Sequence, residues 1–177
     1  MVTALGIWNS RAGQDWLLEK AASLAILQPG PITEFDGLQV FMCGTSSPLP
    51  DPNRAQACVA ILAGEELYIV DTGAGSARVA TLGRLPLERL EAVFLTHFHS
   101  DHIAALPEFN LNSWVAGRPA PLSVFGPPGV AEVVDGLNAA YRLDSTYRVA
   151  HHGDELMRPE LGVMQAELME AGTAQDF

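Results

Sequence analysis

Three of the chain's five histidines lie in the run THFHSDH, Thr96–His102, with Asp101 set between two of them. In extended backbone, residues i and i+2 share a side, so His97 and His99 can address one centre together. A turn directly after them would aim Asp101 and His102 at a second centre close by. Imidazole nitrogens at about 2.0–2.1 Å, with a carboxylate oxygen at similar range, are a donor set that zinc takes. Two such ions about 3.5–4 Å apart activate a water near neutral pH and polarise the ester it attacks. The alternative is a surface loop rich in histidine. The cluster follows the apolar run LEAVFL directly, and α/β folds place ligands at the carboxyl ends of their strands, which favours metal.

The elements that must position this cluster follow from apolar runs and their breaks. LQVFMCG (38–44), ACVAIL (57–62) and ELYIVD (66–71) read as strands, the last two joined at Gly64-Glu65 as a hairpin. TSSPLPDPNRA (45–55) reads as a loop, and TGAGSA as a sharp turn into a helix over 76–83. LEAVFLTH (90–97) is a strand that delivers the histidines. IAALPEFNLNSWVAG is largely helical, with Phe109 and Trp114 in the core, and PLSVFG (121–126) is a strand. Pro127-Pro128-Gly129 opens a helix to about Tyr141. YRVAHHG (147–153) reads as a short strand ending in His151 and His152, and residues 159–171 as a last helix. Residues 1–37 form a leader whose segment 14–27 is an amphipathic helix or irregular, ended by Pro29-Gly30-Pro31. Early strands followed by strand–helix alternation predict an α/β fold over 38–177, a mixed sheet covered by helices.

Composition bounds the function. With 177 residues, 48% of them hydrophobic and 18% charged, the chain supports one compact domain and is not disordered. A net charge of −11 repels phosphate backbones and weighs against nucleic acid, although a local basic groove is compatible with it. Cys43 and Cys58 each sit in an apolar run and read as small buried thiols rather than a disulfide framework. No stretch approaches the roughly 20 apolar residues that span a bilayer, so no membrane partner is expected. With no export signal visible, the expected compartment is the cytoplasm.

From Leu38 to Gly153 the chain resembles the metallo-β-lactamase-fold hydrolases, whose signature is His-x-His-x-Asp-His. CGTSSPLPDPNRA looks like the opening loop of the ribonuclease Z and arylsulfatase branch. IVDTGAG matches the family's first motif, with Asp71 as its aspartate. THFHSDHIAALPEFNLNSWVAGR and VFGPPGV…YRVAHHG look most like arylsulfatase-like members. The resemblance implies two zinc ions, the first on His97 and His99, the second on Asp101 and His102. It implies that Asp101 also holds the reacting water, and that Asp71 orients the histidine loop from behind, as metal ligands generally require. His151 and His152 either approach the site from a neighbouring strand or brace the loop beneath it; they do not match the family's third-motif histidine. Gly73 and Gly75 are backbone necessities rather than substrate contacts.

Such a domain is an αββα sandwich of two halves, and the second half supplies further ligands. After Gly153 there is no histidine, and the only aspartates are Asp154 and Asp176. The expectation is therefore half of that sandwich, the N-terminal half, with weak metal binding and one apolar sheet face left open. That face should make a homo-oligomer or receive the missing C-terminal half. An arylsulfatase-like hydrolase of small sulfate or phosphate esters is the first functional expectation. A ribonuclease Z-like endonuclease trimming the 3′ end of precursor transfer RNA is the second. A truncated, non-catalytic module is the third.

Overall fold

The computed structural model describes residues 10–26, 37–49 and 51–169. It divides the chain into two units, Met1–Thr33 and Glu34–Phe177. Among its described residues the first holds one helix, α1 (Arg11–Ile26), entered through Ser10, whose hydroxyl accepts from the Gly13 amide at 3.0 Å. The expected break at Pro29-Gly30-Pro31 lies outside the described residues.

The second unit is a six-stranded mixed sheet in the order β1 (Leu38–Gly44), β2 (Cys58–Ala63), β3 (Glu66–Val70), β4 (Leu90–Phe94), β5 (Leu122–Gly126), β6 (Met164–Leu168). The first three strands are antiparallel, and β3 to β6 are parallel. Each parallel step needs a crossover. These are α2 (Ser76–Leu82), then α3 (Ser100–Ile103) with α4 (Leu106–Ala116), then α5 (Val130–His152). Crossovers of the usual right hand, between strands that advance in one direction, put α2 to α5 on the same face.

That face is the core. Ala60, Leu67, Ile69, Val93, Leu122 and Val124 lie at 0–1% exposure under Phe109, Leu106, Ala77 and Ala80. The opposite face carries Leu38, Val40 and Met42, which are 65%, 58% and 53% exposed, together with half-buried Ile61, Tyr68, Val70, Phe94 and Phe125. No described helix of this unit covers it. Phe94 and Phe125 stack there at 5.1 Å. Among the described residues, no helix is long and apolar enough to cross a membrane.

Four sequence expectations need correction. The helix begun at Gly129 does not stop near Tyr141 but runs to His152, so 147–153 is no strand. Residues 137–152 contain neither Gly nor Pro, and Asp144 accepts from Arg148 Nε at 2.7 Å, an i,i+4 pair that supports continuation. Within 159–171, Met164–Leu168 forms β6 instead of a helix, because its backbone pairs with β5; residues 170 and 171 lie outside the described residues. The β1–β2 register shifts between Met42 and Gly44, bringing Cys43 beside Cys58 with Cα atoms 5.0 Å apart. They form a disulfide, buried but not free.

Arg118 ties α4 to the sheet's far end. It is 2% exposed and donates to Ser113 Oγ, Asn110 Oδ1 and the carbonyls of Ala120 and Leu161 at 2.7–3.1 Å. Burial pulls its guanidinium down to about 10, with Glu91 opposing, so it remains charged at neutral pH and depends on those acceptors. Asn110 Nδ2 also reaches the Gly162 carbonyl, and Trp114 Nε1 the Arg158 carbonyl. The Trp114 ring lies so close to Gly162 that a Cβ there would press on it at 3.1 Å. Arg118→Ala would strand several buried acceptors; a loss of about 3 kcal/mol is expected in denaturant unfolding, against under 1 kcal/mol for exposed Arg78→Ala.

Candidate metal centre

The centre is built where β3 and β4 end side by side. Immediately after β3, Asp71 takes a left-handed conformation (φ 58°) that few non-glycine residues adopt and Asp tolerates better than most. Its amide donates to the Phe94 carbonyl at 2.8 Å. The Thr72 amide and hydroxyl donate to the His102 carbonyl at 2.7 and 3.1 Å, and the Ala105 amide donates to the Thr72 carbonyl. The turn and the histidine loop are thus stitched backbone to backbone. Gly73 completes the fit: a Cβ there would collide with the Asp101 carbonyl and with Gln56 of the opening loop.

The side chain of Asp71, 6% exposed, points into the loop. Its Oδ1 accepts the Thr96 amide at 2.9 Å, and its Oδ2 lies 2.8 Å from both Thr96 Oγ1 and His102 Nδ1. The role expected of Asp71, orienting the loop from behind, has this contact set in its favour. Thr96 is not singled out by residue type. The signal available for it is position, a hydroxyl directly before the first histidine at the end of a buried strand.

Two donor pairs result. His97 Nε2 and His99 Nδ1 face each other at 3.0 Å, and His102 Nε2 lies 3.5 Å from Asp101 Oδ2. Two ligands bonded at about 2.0–2.1 Å around a tetrahedral cation lie roughly 3.3 Å apart, so each pair has the span of a shared ion's edge. The rings of His97 and His102 approach to 4.0 Å between centroids, which brings the pairs together. Asp101 is buried at 6% exposure, at the start of α3. These residues suit zinc by donor type and spacing. Among the described residues, however, no group of three or more His, Cys, Asp or Glu side chains is disposed to hold a metal ion. Each pair supplies two ligands of the usual four.

His151 and His152 occupy the exposed last turn of α5, their rings packed on one another at 4.6 Å. Neither is hydrogen-bonded to residues 96–102 in the described structure. They do not approach from a strand. Positive imidazoles there would instead meet the helix's negative end.

The Metallo-beta-lactamase superfamily profile matches residues 51–164. Two proteins named Ribonuclease Z, from Mycobacterium marinum and Mycobacterium bovis, are each 43% identical over 129 residues, covering 71% of this chain and 46% of theirs. The chain thus spans about half the length of these relatives. Among solved structures, human tRNase Z, short form, aligns with a TM-score of 0.51 at 26% identity, over 59% of this chain and 39% of that one. The metallo-beta-lactamase fold protein YhfI from Bacillus subtilis aligns at 0.57 with 19% identity, over 81% and 49%, a likeness of fold.

Asp71→Asn keeps the shape but removes the charge that His102 and Thr96 lean on. Zinc affinity measured by calorimetry should fall about 10- to 100-fold, the range typical of such supporting partners. An unchanged affinity would show that Asp71 serves the turn alone.

Proposed function

Because this chain belongs to the metallo-beta-lactamase superfamily, we propose that its histidine–aspartate loop is half of a metal-dependent phosphodiesterase site. The whole protein then acts as a ribonuclease Z-like processing enzyme on the 3′ side of precursor transfer RNA. The observation that carries this reading is the 43% identity to proteins named Ribonuclease Z across the stretch bearing both motifs. It moves the ribonuclease ahead of the arylsulfatase-like hydrolase.

A second observation removes part of the arylsulfatase argument. That reading leans on NLNSWVAGR, yet Asn110, Ser113, Trp114 and Arg118 are buried and bonded to the 158–162 segment and to each other. They brace the fold.

In the proposed site His97 and His99 would hold one cation, and Asp101 and His102 another. Zinc there would make water a competent nucleophile and offset the charge on the scissile phosphate. The residues do the rest. Asp101, the carboxylate of the second pair, would accept a hydrogen bond from the attacking water and turn its lone pair toward phosphorus. Asp71 keeps His102 facing inward by receiving Nδ1–H, and the packed β4 strand fixes where Thr96 begins the loop. With two ligands per cation, this chain alone should bind zinc weakly and depend on residues from elsewhere for full coordination.

The deciding assay sets a precursor transfer RNA with a 3′ trailer beside a nitrophenyl sulfate and a bis-nitrophenyl phosphate. The enzymes are the chain alone and the chain fused to the remaining half of the Mycobacterium marinum relative, each with zinc. The fusion should cleave the precursor and leave the sulfate ester intact. His97→Ala and Asp101→Ala should each lower cleavage about 10²-fold or more, the scale of losing a transition-state stabiliser. Sulfate hydrolysis without precursor cleavage would restore the arylsulfatase reading, and inertness toward all three would leave a non-catalytic module.

A further inference from the structure

We propose that Thr96 is a positioning residue that selects the ligating tautomer of His97, carrying the influence of Asp71 to an imidazole with which that carboxylate makes no hydrogen bond. The inference rests on the metal reading of His97 and His99 given above.

Thr96 Oγ1 lies 2.8 and 3.0 Å from the two carboxylate oxygens of Asp71, 3.0 Å from His97 Nδ1 and 3.5 Å from His102 Nδ1. A threonine hydroxyl has one proton to give and lone pairs to receive. An ionised carboxylate only accepts, and a bond to it is roughly twice as strong as one between neutral groups. The hydroxyl proton therefore goes to Asp71, and the oxygen turns a lone pair toward His97.

That lone pair discriminates between the two forms of the ring. A protonated Nδ1 donates into it, whereas a bare Nδ1 would set lone pair against lone pair. The protonated-Nδ1 form leaves Nε2 bare, and Nε2 is the atom that faces His99 Nδ1 at 3.0 Å. His102 reaches the same state directly, its Nδ1 lying 2.8 Å from Asp71 Oδ2. One carboxylate thus sets two rings, one by contact and one through a hydroxyl. The Thr96 amide bond to Asp71 Oδ1 and the stiff β-branched side chain hold the hydroxyl in place.

A hydroxyl that merely packed the turn would affect stability and leave the ring's tautomer alone. The test uses the whole 177-residue chain with 15N-labelled histidines, as wild type, Thr96→Val and Thr96→Ser. Long-range proton–nitrogen correlation spectra of the metal-free protein report which nitrogen of His97 carries the proton, and zinc calorimetry reports affinity. The wild type should show Nδ1–H. Valine, which keeps the shape and loses the hydroxyl, should shift His97 toward Nε2–H and weaken zinc about tenfold; serine should restore both. If valine prevents folding, Thr96→Ala takes its place in the same comparison. Retention of the wild-type tautomer without the hydroxyl would overturn the proposal, as would a serine variant no better than valine. A wild type that binds no zinc at His97 and His99 would overturn the metal reading instead, while the metal-free spectra would still decide the role of Thr96.

Discussion

The Asp71 carboxylate receives the Thr96 amide, the Thr96 hydroxyl and His102 Nδ1, and the ends of β3 and β4 are arranged so that it can. To aim that side chain across from β3 into the loop after β4, the backbone adopts a left-handed conformation at a non-glycine residue. Such conformations cost on the order of 1–3 kcal/mol and persist only where the surroundings over-determine them. Here the surroundings do. The Asp71 amide is held by Phe94, and the next residue clasps the His102 carbonyl with both its amide and its hydroxyl. The strain and its compensation sit within a few residues of the donors they orient.

The larger architecture serves this local arrangement. Parallel strands advancing in a single direction bring Asp71, Thr96 and the Gly126 turn to one end of the sheet, and the right-handed crossovers gather all the covering helices on one side. Helix α4 begins just beyond the histidine loop and is anchored at its other end by Arg118, Asn110 and Trp114. A buried charge with four acceptors makes a firm tether but an expensive one to leave incomplete. The loop is therefore held at both ends, by Asp71 on one and through α4 on the other.

Much of this is legible in the sequence, and the failures share a cause. β2 to β5, α2, α4 and the histidine loop follow from apolar runs and their breaks, which are local signals. β6 reads as helix because Met164, Gln165, Ala166, Glu167 and Leu168 are mostly strong helix formers; pairing with β5 overrides that preference. The short strand expected at 147–153 gives way to a helix already running from Val130. The pairing of Cys43 with Cys58 depends on a register shift in β1, which nothing in the chain's composition announces. At the site, residue types point to the two donor pairs. The hydroxyl of Thr96 joining them to Asp71 becomes visible only with the geometry.

The one-sided placement of the helices has a further consequence. Leu38, Val40, Met42 and Phe94 stand on the bare side of the sheet, and Phe94 is the last residue of the strand that leads into the histidines. Whatever comes to rest against those oily side chains arrives beside the strand end that carries the histidine loop. On the metal reading proposed above, shielding hydrocarbon from water and finishing a coordination sphere would be one event, so the chemistry would switch on with assembly instead of preceding it.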